Sequence, residues 1–135
     1  MSDVSASDLT SVPLLTSLSE DELGVVADWF DAREVGPNTR LIGEGTTGMA
    51  FFVLTEGEVT VTTSEGTTTT LGPGDFFGEV ALLTGGRRTA TVTTMSPVRV
   101  LVLVGDDFRR LTETYPDVGA EIAATSQVRL RERSH

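Results

Sequence analysis

Polar and apolar positions change rhythm three times along this chain. Leu23, Val26, Ala27 and Phe30 recur at helical spacing, which predicts a helix over residues 19–32. Ser19-Glu20-Asp21-Glu22 reads as a capping box at its start, with Ser19 as N-cap and Glu22 at N3. Leu18 and Leu23 are placed to staple that end. From 33 to 104 the helical period vanishes, and short apolar runs alternate with turn residues. Runs at 50–54, 59–63, 67–71, 90–94 and 98–104 are rich in Val, Thr and Phe, as strands are. Gly36-Pro37-Asn38, Gly43-Glu44-Gly45, Glu56-Gly57, Glu65-Gly66 and Gly72-Pro73-Gly74-Asp75 punctuate them. Helical spacing then returns over 106–114, with Phe108 and Leu111 on one face. Pro116 breaks that segment and opens a last helix over 117–133.

The order helix, strands, two helices predicts a mainly β domain with flanking α elements. The expected architecture is an antiparallel, jelly-roll-like β-roll over 33–104, an N-terminal helix and two C-terminal helices over 105–133. Residues 1–12 read as a flexible tail before a single domain at 13–135.

Composition narrows the chemistry. There is no cysteine, and the one histidine is His135, so disulfides, thiol catalysis, histidine triads and Cys/His metal clusters have no residues to build them. The net charge is −10 and every cation is an arginine. Such a surface repels a phosphate backbone, so nucleic acid is not an expected partner. No apolar run approaches the ~20 residues that cross a bilayer, and the polar, acidic start does not read as a signal peptide. The expectation is a cytoplasmic protein without a membrane partner, a monomer or a weak homodimer.

One stretch departs from the strand pattern: Phe76-Phe77-Gly78-Glu79-Val80-Ala81-Leu82-Leu83-Thr84-Gly85-Gly86-Arg87-Arg88-Thr89-Ala90-Thr91-Val92. A glycine turn follows a strand. Five helix-compatible residues follow, then two glycines, then two arginines leading into a strand. A short helix begun at Gly78 would expose unpaired N–H groups that attract an anion. Arg88 could face that anion through bidentate, charge-assisted hydrogen bonds. Glu79 fits beside an anion only if it points away, toward sugar hydroxyls. Each residue also has a plainer role open to it. Glu79 suits a first helical turn, Arg87-Arg88 can be a solvated pair, and Gly85-Gly86 can be a C-cap.

Taken together, the stretch resembles the phosphate-binding cassette of the cyclic nucleotide-binding domain family. That family includes the regulatory subunits of cyclic AMP-dependent protein kinase, cyclic nucleotide-gated channels and the catabolite activator protein. The matching residues are Phe77-Gly78-Glu79, Ala81-Leu82, Gly85, Arg88-Thr89-Ala90 and Val92. Pro13-Leu14-Leu15, Glu44-Gly45, Gly48, Phe51-Phe52-Val53-Leu54 and Gly57-Glu58-Val59 extend the likeness. Met49-Ala50 departs from it, where many members carry a polar pair.

The resemblance implies a ligand, cyclic AMP favoured over cyclic GMP, and no metal. It implies that Phe77, Gly78, Glu79, Val80, Ala81, Arg88, Thr89 and Ala90 form the pocket. Arg88 would pair with the cyclic phosphate, and Gly78 and Ala81 would present backbone to it. Glu79 would accept from the ribose 2′-hydroxyl. Thr89 would offer its N–H to the phosphate and its hydroxyl to the base. Leu82 would touch the hinge to the C-terminal helices. The last helix would cover the base, with Ile122, Thr125 and Ser126 as candidates, although the same stripe also suits plain packing.

The expected role is a stand-alone sensor whose C-terminal helices close over the ligand and signal to a downstream protein partner. The alternatives are a ligand-independent interaction module, or the regulatory fragment of a longer transcription factor, channel or enzyme. No catalytic constellation is visible, so an enzyme is not expected. A cupin-like metal enzyme on a similar roll would need internal histidines that the chain lacks.

Overall fold

The computed structural model describes residues 4–42, 50–63, 66–79 and 90–133; Ile42 and residues 129–133 are described by backbone only. The chain begins with α1 (Ala6–Thr10), a 3-10 turn at Pro13–Leu15 and α2 (Glu20–Ala27). Among the described residues eight strands follow: β1 (Asp31–Val35), β2 (Arg40–Ile42), β3 (Ala50–Glu56), β4 (Val59–Thr63), β5 (Thr68–Leu71), β6 (Phe76–Phe77), β7 (Ala90–Thr94) and β8 (Val98–Val104). It closes with α3 (Gly105–Thr114) and α4 (Pro116–Arg133).

The strands form two antiparallel four-stranded sheets, ordered β1-β8-β3-β6 and β2-β7-β4-β5. This is the expected β-roll with flanking helices. Strand alternation sorts the core into two halves, because successive side chains leave opposite faces of a sheet. Phe52, Leu54, Phe77, Val98, Val100 and Val102 point between the sheets, where they meet Val59 and Val92 of the second sheet. Their neighbours Phe51, Val53, Phe76, Leu101 and Leu103 point the other way. They pack against helix residues including Leu9, Val26, Phe108, Leu111 and Ile122. The first sheet is therefore covered on both faces. That accounts for the nearly unbroken apolar run of β8, which alternation alone would not produce.

Three expectations are corrected. Residues 1–12 are not a loose tail from Val4 onward. α1 is capped by Ser5, whose backbone N–H donates to Asp8 Oδ2 at 2.9 Å. Val4, Leu9 and Val12 are buried among the helices. The polar composition concealed these three isolated apolar anchors. Second, α2 stops at Ala27 rather than at 32. Phe30 enters the helix-side core, and Asp31–Val35 pair along β8 instead. Third, β1, β2 and β6 did not read as strands. β1 is an edge bearing Asp31, Arg33 and Glu34; β2 and β6 have only three and two residues. The turn at Gly43-Glu44-Gly45, Gly48 and Met49 lie outside the described residues.

Candidate functional site

The expected pocket segment is anchored at both ends. Upstream, Gly72-Pro73-Gly74-Asp75 folds onto β3. The Gly72 N–H donates to Asp75 Oδ2 at 2.9 Å, and the Gly74 N–H donates to the Leu54 carbonyl at 2.7 Å. The Leu54 N–H returns a bond of 2.8 Å to the Asp75 carbonyl. Gly74 has φ +94°, so the turn needs glycine there.

β6 then pairs with β3, placing Phe77 opposite Phe52 and Phe76 opposite Val53. The two phenylalanines part ways. Phe77 stacks on Phe52 inside the roll, with centroids 5.0 Å apart and planes at 9°. Phe76 meets Phe51, which in turn meets Phe108 of α3 at 5.0 Å. The strand leading into the site is thus packed to the roll interior and to the first C-terminal helix at once.

Gly78 follows with φ 91°, a left-handed conformation that side chains with a Cβ rarely adopt. Glu79 comes next and is 1% exposed. Among the described residues it is the one charged side chain that is buried. A buried carboxylate is costly unless it is hydrogen-bonded or paired, so Glu79 is not an incidental charge on a solvated helix start. The segment rejoins the fold at Ala90, buried at the head of β7 opposite Thr63 of β4. It therefore leaves the first sheet at Phe77 and re-enters in the second. Phe77, Gly78, Glu79 and Ala90 frame the two ends. Val80, Ala81, Leu82, Arg87, Arg88 and Thr89 lie outside the described residues.

The base-covering candidates fall on α4. Val118, Ile122 and Ser126 are spaced four apart and all buried, so they form one inward stripe. Ile122 belongs to the helix-side core with Leu9, Val12, Leu14 and Leu15. Packing is thus its evident role, while Thr125 sits half-buried beside the stripe. Sequence reasoning missed a cluster next to it. Trp29, just past α2, lies 6.4 Å from the ring of Tyr115 at the α3–α4 junction, and the Arg110 guanidinium sits 5.1 Å over the indole. The signal was two lone aromatics at helix ends, which periodicity does not register. Among the described residues no three His, Cys, Asp or Glu side chains group as metal ligands, and no helix is long and apolar enough to cross a membrane.

Comparison with known proteins bears on the chain as a whole. The family model of the cyclic nucleotide-binding domain matches residues 32–115, more than half of the chain. The cAMP-dependent protein kinase regulatory subunit of Yarrowia lipolytica is 42% identical over 105 residues, covering 76% of this chain and 28% of its own length. The cGMP-dependent protein kinase, isozyme 1, of Drosophila melanogaster is 40% identical over 111 residues, covering 76% of this chain and 14% of its own. This chain spans a minor part of both relatives. Among solved structures, cAMP-bound PfPKA-R (141-441) superposes with a TM-score of 0.82 at 28% identity, over 94% of this chain and 45% of that one. The roll, the glycine turn into a buried glutamate, and matches of this extent lead to one assignment: the chain belongs to the cyclic nucleotide-binding domain family.

Proposed function

We propose that this domain binds cyclic AMP between Gly78 and Ala90 and works as a regulatory module rather than as a catalyst. The observation that carries the reading is the pair Gly78-Glu79. A left-handed glycine is followed at once by the one buried charge among the described residues. In this reading Glu79 accepts from the ribose 2′-hydroxyl, and the backbone of Gly78 and Ala81 faces ribose and phosphate. Arg88 neutralises the cyclic phosphate and Thr89 donates its N–H to it. Phe77, Val80 and Ala90 form the apolar surround. No metal is required, because an arginine supplies the counter-charge. Thr125 and Ser126 are the polar groups of α4 available to the base, with Ile122 supporting them from the core.

Closure of α3 and α4 over the ligand is the output. Its size is limited by the ligand's differential affinity for the closed form. A protein partner that reads α3 and α4 completes the proposal, with the domain acting in the cytoplasm.

Cyclic AMP is favoured because the Yarrowia lipolytica relative is named for it and PfPKA-R was solved with it bound. Thr89 supports a second reading, since a hydroxyl there can reach guanine, and the Drosophila melanogaster relative is named for cyclic GMP. Calorimetric titration with each nucleotide separates the two. Tighter binding of cyclic AMP is expected, and Arg88→Ala is expected to weaken it roughly 10- to 100-fold, the loss of a charge-assisted contact. A preference for cyclic GMP that Thr89→Ala abolishes would establish the second reading. Folded protein that binds neither nucleotide at millimolar concentration would leave a ligand-independent interaction module.

A further inference from the structure

The outer face of the second sheet carries an array of threonines in register. On β4, Thr60 and Thr62 stand opposite Thr93 and Thr91 of β7, and opposite Thr70 and Thr68 of β5. Directly opposed residues share a face, so these six side chains form two parallel rows of three. One row is Thr93, Thr60, Thr70, and the other is Thr91, Thr62, Thr68. The inward positions between them are Val59, Val61 and Val92.

The rows end at β5, which is an open edge among the described residues. Thr68, Thr69 and Thr70 are all exposed. Which backbone groups face outward follows from the ladder. The Thr63 N–H donates to the Thr67 carbonyl at 3.0 Å, and the Met95 N–H donates to the Glu58 carbonyl at 2.9 Å. In an antiparallel pair, hydrogen-bonded and non-bonded positions alternate. Residues 59, 61 and 63 therefore bond toward β5, and 58, 60 and 62 toward β7. Opposite them, Thr69 and Leu71 bond back to β4, while Thr68 and Thr70 direct N–H and C=O away from the sheet.

Exposed edges are normally blunted by charge, shortness, proline or a bulge. The other three edges here have such protection. β1 carries Asp31, Arg33 and Glu34; β2 has three residues, Arg40 and a register shift; β6 has two residues. β5 has no charge, no proline and an unbroken register with β4.

We propose that β5 is a self-association edge, which pairs antiparallel with β5 of a second copy about a two-fold axis at Thr69. This register uses all four outward groups of each strand, because Thr68 faces Thr70 of the other copy twice over. It also carries the threonine rows across the junction: Thr93, Thr60 and Thr70 run on into Thr68, Thr62 and Thr91 of the second copy. Such self-complementarity selects a second copy over an unrelated strand, since another strand would match the backbone but not the rows. Four residues make a small contact, and two copies of charge −10 repel. The dimer is therefore weak and strengthens with salt, as screening shortens the repulsion.

The test uses the absence of cysteine. At the axis, Thr69 would face its own copy as a non-bonded pair with Cα atoms about 4.5 Å apart, a spacing that a disulfide can bridge. Thr69→Cys should cross-link to a covalent dimer under mild oxidation, whereas Arg33→Cys on the β1 edge should not. Thr70→Pro removes an outward donor without touching the β4 ladder. Added to Thr69→Cys it should suppress cross-linking, with thermal unfolding confirming an intact fold. Sedimentation of the unaltered chain should show the mass rising toward twofold with concentration and with salt. A single monomer mass up to millimolar protein, or cross-linking of Thr69→Cys no faster than of Arg33→Cys, would overturn the proposal.

Discussion

A Cβ placed on Gly57 would overlap the Pro97 carbonyl oxygen and come within 2.8 Å of Val98 Cγ1, at a backbone φ of +85°. Neither neighbour can yield, because one is backbone and the other is buried between the sheets. Gly57→Ala is therefore expected to lower unfolding stability by about 1–3 kcal/mol through strain alone, measured by urea titration. Thr94 carries comparable weight without having stood out in the sequence. Its hydroxyl donates to the Gly36 carbonyl at 2.7 Å and accepts from the Thr39 N–H at 2.8 Å, pinning the β1–β2 turn. Thr94→Val removes both of these part-buried bonds, each contributing about 0.5–1.5 kcal/mol, so a loss of about 1–3 kcal/mol is expected in thermal unfolding. Glu79 needs a variant that keeps its volume. Glu79→Gln retains the shape but removes the charge, so nucleotide affinity should fall roughly 10- to 100-fold if a charged acceptor serves the ribose. Calorimetry with unchanged affinity would return Glu79 to a structural role.

Elements were legible where one rule governed them, and illegible where two competed. β4, β7 and β8 fall where the sequence placed them, because runs so rich in Val and Thr leave little choice. α2 began as expected: Ser19 Oγ accepts from the Glu22 N–H at 3.2 Å, and the Ser19 N–H donates to Glu22 Oε1 at 2.9 Å. Its end was not legible, because Phe30 continues the helical period yet is drawn into the core beside a new strand. β1 was hidden for a related reason, since charge at an edge resembles loop. The site divides along the same line. Gly78 and Glu79 announced themselves through a glycine turn in an odd place, whereas the Trp29–Tyr115–Arg110 cluster exists only once α2 and α3 are brought together. The capping box offers a check at this scale. α2 has eight residues, too few to persist by propensity alone, and buries Leu23, Val26 and Ala27. Ser19→Ala should cost about 1 kcal/mol in thermal unfolding, while leaving nucleotide affinity unchanged.

At the level of the whole molecule, the first sheet is the layer that joins the proposed pocket to the helices. Its inner face holds Phe77 against Phe52; its outer face holds Phe76 against Phe51, which touches Phe108 of α3. In the proposed function, a shift of the chain at Gly78 would reach α3 through these adjacent rings. α3 in turn carries Arg110 over Trp29, and the α3–α4 junction carries Tyr115 beside the same indole. Trp29 is the only tryptophan in the sequence, so its emission reports this contact alone. Titration with cyclic AMP should change Trp29 fluorescence along a saturable curve, because the proposed closure of α3 and α4 would alter what lies against the ring. Arg88→Ala should move the midpoint of that curve by roughly the same 10- to 100-fold as the calorimetric affinity, with the amplitude retained at saturation. Arg110→Ala should reduce the amplitude while leaving the midpoint nearly in place, since Arg110 reports on closure from outside the pocket. If calorimetry records binding and Trp29 emission stays constant, the ligand is held without moving α3 or α4, and the switch must lie elsewhere in the domain.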